Sequence, residues 1–139
     1  NANCWMLLIN DLCRQAISDG KITVRAPKNV ARDFIPITEV CRAIHHLIEL
    51  DSKYIENGLF NLGSSATLSI EKVVNQISSL YKELTHRELE VNYLNSENIE
   101  KSDLIYSIEK LIGTGFSSKS HDLFKEEIRK LLLFCQENM

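Results

Sequence analysis

Apolar residues along this chain fall into blocks whose period switches between helical and alternating spacing. Trp5, Leu8, Ile9, Leu12, Cys13 and Ala16 recur three and four apart, and Gly20 stands where a helix would end on a left-handed residue, which predicts a helix over residues 4–19. The β-branched run Ile22-Thr23-Val24 predicts a short strand over 21–25, closed by the turn Ala26-Pro27-Lys28-Asn29. A second strand is expected over 33–37. Thr38, with Glu39 after it, is placed to cap a helix whose buried stripe is Val40, Ile44, Leu47 and Ile48.

Leu59-Phe60-Asn61-Leu62 reads as a third strand closed by Gly63. Ser69 is the expected cap of a long helix in which Ile70, Val73, Val74, Ile77, Leu80, Tyr81 and Leu84 keep helical spacing. Residues 89–94 alternate as a strand does, and Ser102-Asp103 opens a short helix running to about residue 111, ended by Gly113 and Gly115. A last helix over 121–136 turns Phe124, Ile128, Leu131, Leu132 and Cys135 inward. The sum is one α/β domain over residues 1–139, with helices packed on a small sheet and no linker or repeat. Strands so few and short leave apolar surface in want of a partner, and Trp5-Met6-Leu7-Leu8-Ile9 carries more apolar residues than one helix face needs.

Charge narrows the function. Sixteen Lys and Arg against nineteen Asp and Glu give a net charge of −3, and the arginines are dispersed, so the chain carries no footprint for nucleic acid or an anionic membrane. Its first apolar run is too short to span a bilayer and lacks the flanks of a secretory leader. Cys4, Cys13, Cys41 and Cys135 form no Cys-x-x-Cys pair; Cys13 and Cys41 fall on expected apolar faces, and a reducing cytoplasm is the natural location. Asn1 in place of Met suggests processing or excision, with Asn1-Ala2 a remnant of cloning.

Three segments carry a resemblance. Arg32-Asp33-Phe34-Ile35-Pro36-Ile37-Thr38-Glu39-Val40 is similar to the Arg-Asp-aromatic-aliphatic strand and helix start of NAD-dependent sugar-nucleotide epimerases and dehydratases, the extended short-chain dehydrogenase/reductase family. Leu59-Phe60-Asn61-Leu62-Gly63-Ser64 resembles that family's aliphatic-aromatic-Asn-aliphatic-Gly-Ser segment, and residues 103–113, ending in Leu111-Ile112-Gly113, resemble its Asp-led helix ending in Leu-Gly. The order matches across nearly the whole chain. The resemblance implies a C-terminal substrate-binding domain that lacks the Rossmann domain, because no glycine-rich turn follows a strand, and no Tyr-x-x-x-Lys pair of the kind that transfers protons in the family is read here.

On that resemblance, Arg32 reaches the pyrophosphate of a nucleoside-diphosphate sugar, as a planar guanidinium can through paired hydrogen bonds. Asp33 points the other way and orients the loop, Thr23 and Val24 line the nucleotide base, and Asn61 and Gly63 serve architecture. Relatives often carry a second phosphate-binding arginine where residues 93–98 offer none, so phosphate binding rests on Arg32 with Lys28. NAD or NADP is implied for the intact enzyme and none for this chain, which alone is inactive and has the missing N-terminal Rossmann domain as its partner. The bland readings are a solvated Arg32 and a plain edge strand at Thr23 and Val24. A zinc site at His45 and Glu49 lacks a third ligand. The alternative function is a non-enzymatic α/β protein-interaction module docking through its first helix.

Overall fold

Four strands among the described residues form two ladders, and five helices pack on them. The computed structural model describes residues 4–55, 57–65, 67–95 and 106–139, without the side chain of Cys4; Asn1-Ala2, Ser102 and Asp103 lie outside them. In chain order the elements are α1 (Leu8–Asp19), β1 (Lys21–Val24), β2 (Ala31–Asp33), α2 (Ile37–Glu49), β3 (Thr67–Ser69), α3 (Ile70–Thr85), β4 (Glu90–Tyr93), α4 (Glu109–Ile112) and α5 (Ser120–Asn138), with single 3-10 turns at Cys4–Met6 and Ser52–Tyr54. β1 pairs parallel with β4, Ile22 opposite Val91, while β2 pairs antiparallel with β3, Arg32 opposite Leu68.

Sequence signals fix several of these ends. Gly20 adopts φ 64° and donates its N–H to the Ala16 carbonyl at 3.1 Å, closing α1 as a left-handed cap does. The Ser69 hydroxyl accepts from Lys72 N at 3.3 Å at the head of α3, whose Ile70, Val73, Val74, Ile77, Leu80 and Tyr81 are buried. With Leu12, Cys13 and Ala16 of α1, Ile22 and Val24 of β1, and Phe124, Ile128 and Leu132 of α5, they form the main core. A smaller cluster of Ala43, Leu111 and Phe116 lies under α2 and α4.

Elsewhere the structure corrects the pattern. Leu59–Leu62 joins no ladder among the described residues; side chains hold it instead, Lys110 Nζ donating to the Leu59 carbonyl at 2.9 Å and Asn61 Nδ2 to the Ser107 carbonyl at 3.4 Å. β2 stops at Asp33, and α2 begins at Ile37, so Thr38 lies inside the helix and does not cap it. Pro36, whose fixed φ suits a helix entry, takes the capping position without a side-chain acceptor. The cap arrives from α5: the Glu127 carboxylate accepts from Ile37 N at 3.1 Å and Thr38 N at 2.9 Å, supplying negative charge where the helix dipole is positive. The expected buried stripe of α2 is open, with Ile44 50% and Ile48 77% exposed, and Cys41 is exposed as well. What α2 buries is Ala43 and the charged Glu39, which pairs with Arg42 and accepts from Lys119 N at 2.8 Å. Of the short helix expected from residue 102, only Glu109–Ile112 is helical among the described residues.

Candidate functional site

Arg32 stands on β2, exposed, and has no hydrogen-bond or ion-pair partner for its guanidinium among the described residues. That isolation has local causes. The neighbouring Asp33 is engaged: its two carboxylate oxygens accept from Ser64 N at 2.9 and 3.0 Å, and one also accepts from the Ser64 hydroxyl. Glu127 is occupied by the head of α2, and Lys130 is held by Glu126 at 2.6 Å. Asp33 and Glu127 are therefore both already bound to something else.

Arg32 opens on a cavity of about 890 Å³, open to solvent. The cavity lies between the start of α1, the segment joining β2 to α2, and the middle of α5. Its walls are mostly apolar, and Phe34 tilts against Phe124 with ring centroids 5.9 Å apart. The first turn of α1, Leu8 to Asn10, also lines it, and α1 starts without a side-chain cap. A guanidinium lacking a counter-ion beside an uncapped helix N-terminus is chemistry suited to an anion.

Gly63 makes this arrangement possible. A Cβ there would collide with the Asp33 carboxylate and come within 2.5 Å of the Tyr106 ring, so only glycine lets the 61–65 stretch lie against β2. Asn61 holds that stretch to Ser107. Of the two candidates on β1, Val24 is wholly buried in the main core and its carbonyl accepts from Leu94 N at 3.0 Å, so its side chain cannot line a ligand. The alternation that buries Ile22 and Val24 leaves Thr23 half-buried on the other face, its N–H donating to Gln15 Oε1 at 2.9 Å. Thr23 and Arg32 are not brought into one cavity. Lys28, the second phosphate candidate, lies over the Tyr93 ring at 4.3 Å.

The chain does contain a Tyr-x-x-x-Lys spacing that the sequence reading denied it, at Tyr106 and Lys110. It lacks the required geometry. Tyr106 precedes α4, so the two side chains do not share a helix face, and Lys110 Nζ donates to Asn57 Oδ1 at 2.6 Å and to the Leu59 carbonyl. Among the described residues no cluster of three metal-ligating side chains occurs; His45 and Glu49 form only an exposed pair at 3.2 Å. The N-termini of α2, α3 and α5 are taken by Glu127, by Ser69, and by Glu39 with Ser118. The buried thiols are inert: burial, with Cys135 alongside, pushes Cys13 up to about 12.

Neither a protein-family description nor a curated protein sequence matches the chain. Solved structures do match in fold. RMD from Pseudomonas aeruginosa, complexed with NADPH, superposes with a TM-score of 0.77 at 17% identity, over 99% of this chain and 44% of that one. A UDP-N-acetylglucosamine 4-epimerase from Methanobrevibacter ruminantium M1, in complex with UDP-N-acetylmuramic acid, gives 0.72 at 21% identity over 100% and 42%. TunA, an NAD-dependent NDP-hexosamine 5,6-dehydratase of tunicamycin biosynthesis, gives 0.65 at 21% identity over 96% and 41%. The chain thus spans less than half the length of these proteins, and its fold is that of the C-terminal part of an extended short-chain dehydrogenase/reductase.

Proposed function

We propose that this chain is the substrate-recognition part of an NAD(P)-dependent nucleoside-diphosphate-sugar epimerase or dehydratase, with Arg32 holding the substrate pyrophosphate. The observation that carries the reading is Arg32 itself, a guanidinium without a counter-ion among the described residues, on a cavity of about 890 Å³ beside the uncapped start of α1. Two parallel charge-assisted hydrogen bonds from its planar fork would fix both the position and the orientation of a phosphate. Asp33, Ser64 and Gly63 support the site by holding β2 against the 61–65 stretch. Thr23 remains the candidate on β1 for contact with the nucleotide.

The chain's contribution is binding and orientation, which raises rate by presenting the sugar in a reactive pose. On this reading, oxidation and reduction of the sugar belong to a Rossmann domain outside this chain. Its docking surface would be the open apolar side of the molecule. Ile37, Ile44 and Ile48 share one exposed stripe of α2, and Leu59, 70% exposed, lies on the extended segment that lacks a ladder partner. An extended segment outside any backbone ladder among the described residues, beside an apolar helix, is what the edge of another sheet would complete.

The second reading is a protein-interaction module, favoured by Met6 and Leu7, which are 84% and 63% exposed at the start of the chain. One experiment separates the two. The full-length protein is dialysed against UDP, GDP and dTDP, against their nucleosides, and against the corresponding sugar nucleotides. Retention of one diphosphate and its sugar conjugates, but not the nucleoside, supports the enzyme reading. No retention of any of them contradicts it and leaves the module.

A further inference from the structure

Away from the cavity of Arg32, we infer that the groove between α3 and α5 is a second anion site, which takes a phosphate group. The groove measures about 490 Å³, within the range of small-molecule sites. Its polar lining is Lys72, Asn75, Gln76 and Ser79 from α3 with His121 and Lys125 from α5, and no described carboxylate lines it. Neither Lys72 nor Lys125 has a hydrogen-bond or ion-pair partner for its ammonium among the described residues. In a chain with a net charge of −3, three basic side chains around one space without an acid depart from the overall balance.

The acids nearest in the chain serve elsewhere. Glu126 pairs with Lys130 at 2.6 Å, Asp122 stands 3.5 Å from His121, and neither of them nor Glu71 lines the groove. One turn beyond Lys125 the same two helices are complementary, Arg129 meeting Glu83 of α3. At the groove they set like charges around one space, an arrangement that repels itself until an anion enters. A phosphate brings roughly two negative charges to two ammonium groups, and its other oxygens can accept from the Asn75 amide and the Ser79 hydroxyl. The Gln76 side-chain oxygen is buried and has no hydrogen-bond partner among the described residues. A hydroxyl on the body that carries the phosphate would donate to it, which favours a small hydroxylated phosphate ester over free phosphate. Asp122 and Glu126, beside His121 and Lys125 in the chain, would repel a longer polyanion such as nucleic acid.

The test uses the full-length protein carrying Arg32→Gln, so that the first anchor contributes nothing, titrated with glucose 1-phosphate, inorganic phosphate and glucose and read by ligand-observed magnetic resonance. Glucose 1-phosphate should bind, inorganic phosphate should bind less tightly, and glucose should not bind. Lys72→Ala and Lys125→Ala should each weaken both phosphates about tenfold, the scale of a lost hydrogen bond to a charged group. Lys130→Ala, outside the groove, should leave them unchanged. All three lysines are exposed, so these substitutions leave the core intact. Gln76→Met should weaken the ester alone. Failure of both phosphates to bind, or binding that survives Lys72→Ala and Lys125→Ala together, would overturn the second site. An equal loss from Lys130→Ala would also overturn it, reducing the groove to general surface charge. Inorganic phosphate bound as tightly as the ester would overturn the preference assigned to Gln76.

Discussion

The helices α2 and α3 carry the same kind of message in sequence and meet opposite fates in the fold. Both are amphipathic with apolar residues three and four apart. α3 buries Val73, Val74, Ile77 and Leu80 completely, whereas α2 leaves Ile37, Ile44 and Ile48 in solvent and buries a glutamate instead. Periodicity states that a helix has an apolar face; it says nothing about where the covering surface comes from. α3 finds its cover in α1 and α5. On the function proposed above, the cover for α2 would be a Rossmann domain outside this chain.

The contrast can be broken at either end. Leu80→Ala or Leu132→Ala, each wholly buried in the main core, should cost about 2–5 kcal/mol in denaturant unfolding of this chain. Gly63→Ala should cost about 1–3 kcal/mol by overpacking, because the new methyl group displaces Asp33 and Tyr106. Glu127→Ala, which strips the head of α2 of its acceptor, should cost about 1 kcal/mol, and Glu127→Gln less. Ile48→Ala, at the exposed end of the α2 stripe, should change the stability of this chain by less than about 0.5 kcal/mol, and the full-length protein by more. A cost for Ile48→Ala as large as that for Leu80→Ala in this chain alone would erase the distinction between the two helices.

The thiols sharpen the same division through pH. Cys13 in the sealed half is raised to about 12, so the folded state holds its proton more tightly than the unfolded state does. The stability this confers is complete below the ordinary thiol value of 9.0 and is lost as pH climbs toward 12. At neutral pH an alkylating reagent should modify the exposed Cys41 in the native chain, and Cys13 only at the rate of unfolding.

Much of this molecule was legible in its residues, and the failures have physical causes. Gly20 and Ser69 ended and began helices as local chemistry requires, since each acts on backbone groups within a turn. Thr38 failed as a cap because the helix starts one residue earlier and its first N–H groups, of Ile37 and Thr38, are met by a carboxylate 89 residues beyond Thr38, a tertiary solution that no local pattern reveals. Residues 59–62 failed as a strand because a strand is a pairing, and its pair is not among the described residues. Arg32 could be chosen from the sequence by its motif, but not its isolation, which depends on the Asp33 and Glu127 carboxylates being engaged elsewhere. The burial of the Val24 side chain was not legible because a strand of four residues has two faces and the turn before it does not say which is inward.

The most direct test of Arg32 compares it with Arg25, an exposed arginine that also lacks a partner among the described residues but lies outside the cavity. Calorimetric titration of the full-length protein with the sugar nucleotide it retains should lose about 1.5–3 kcal/mol of binding in Arg32→Ala, the worth of hydrogen bonds to a charged group, and almost none in Arg25→Ala. Equal losses from both would reduce Arg32 to general surface charge, and no loss from Arg32→Ala would contradict its role as the phosphate anchor.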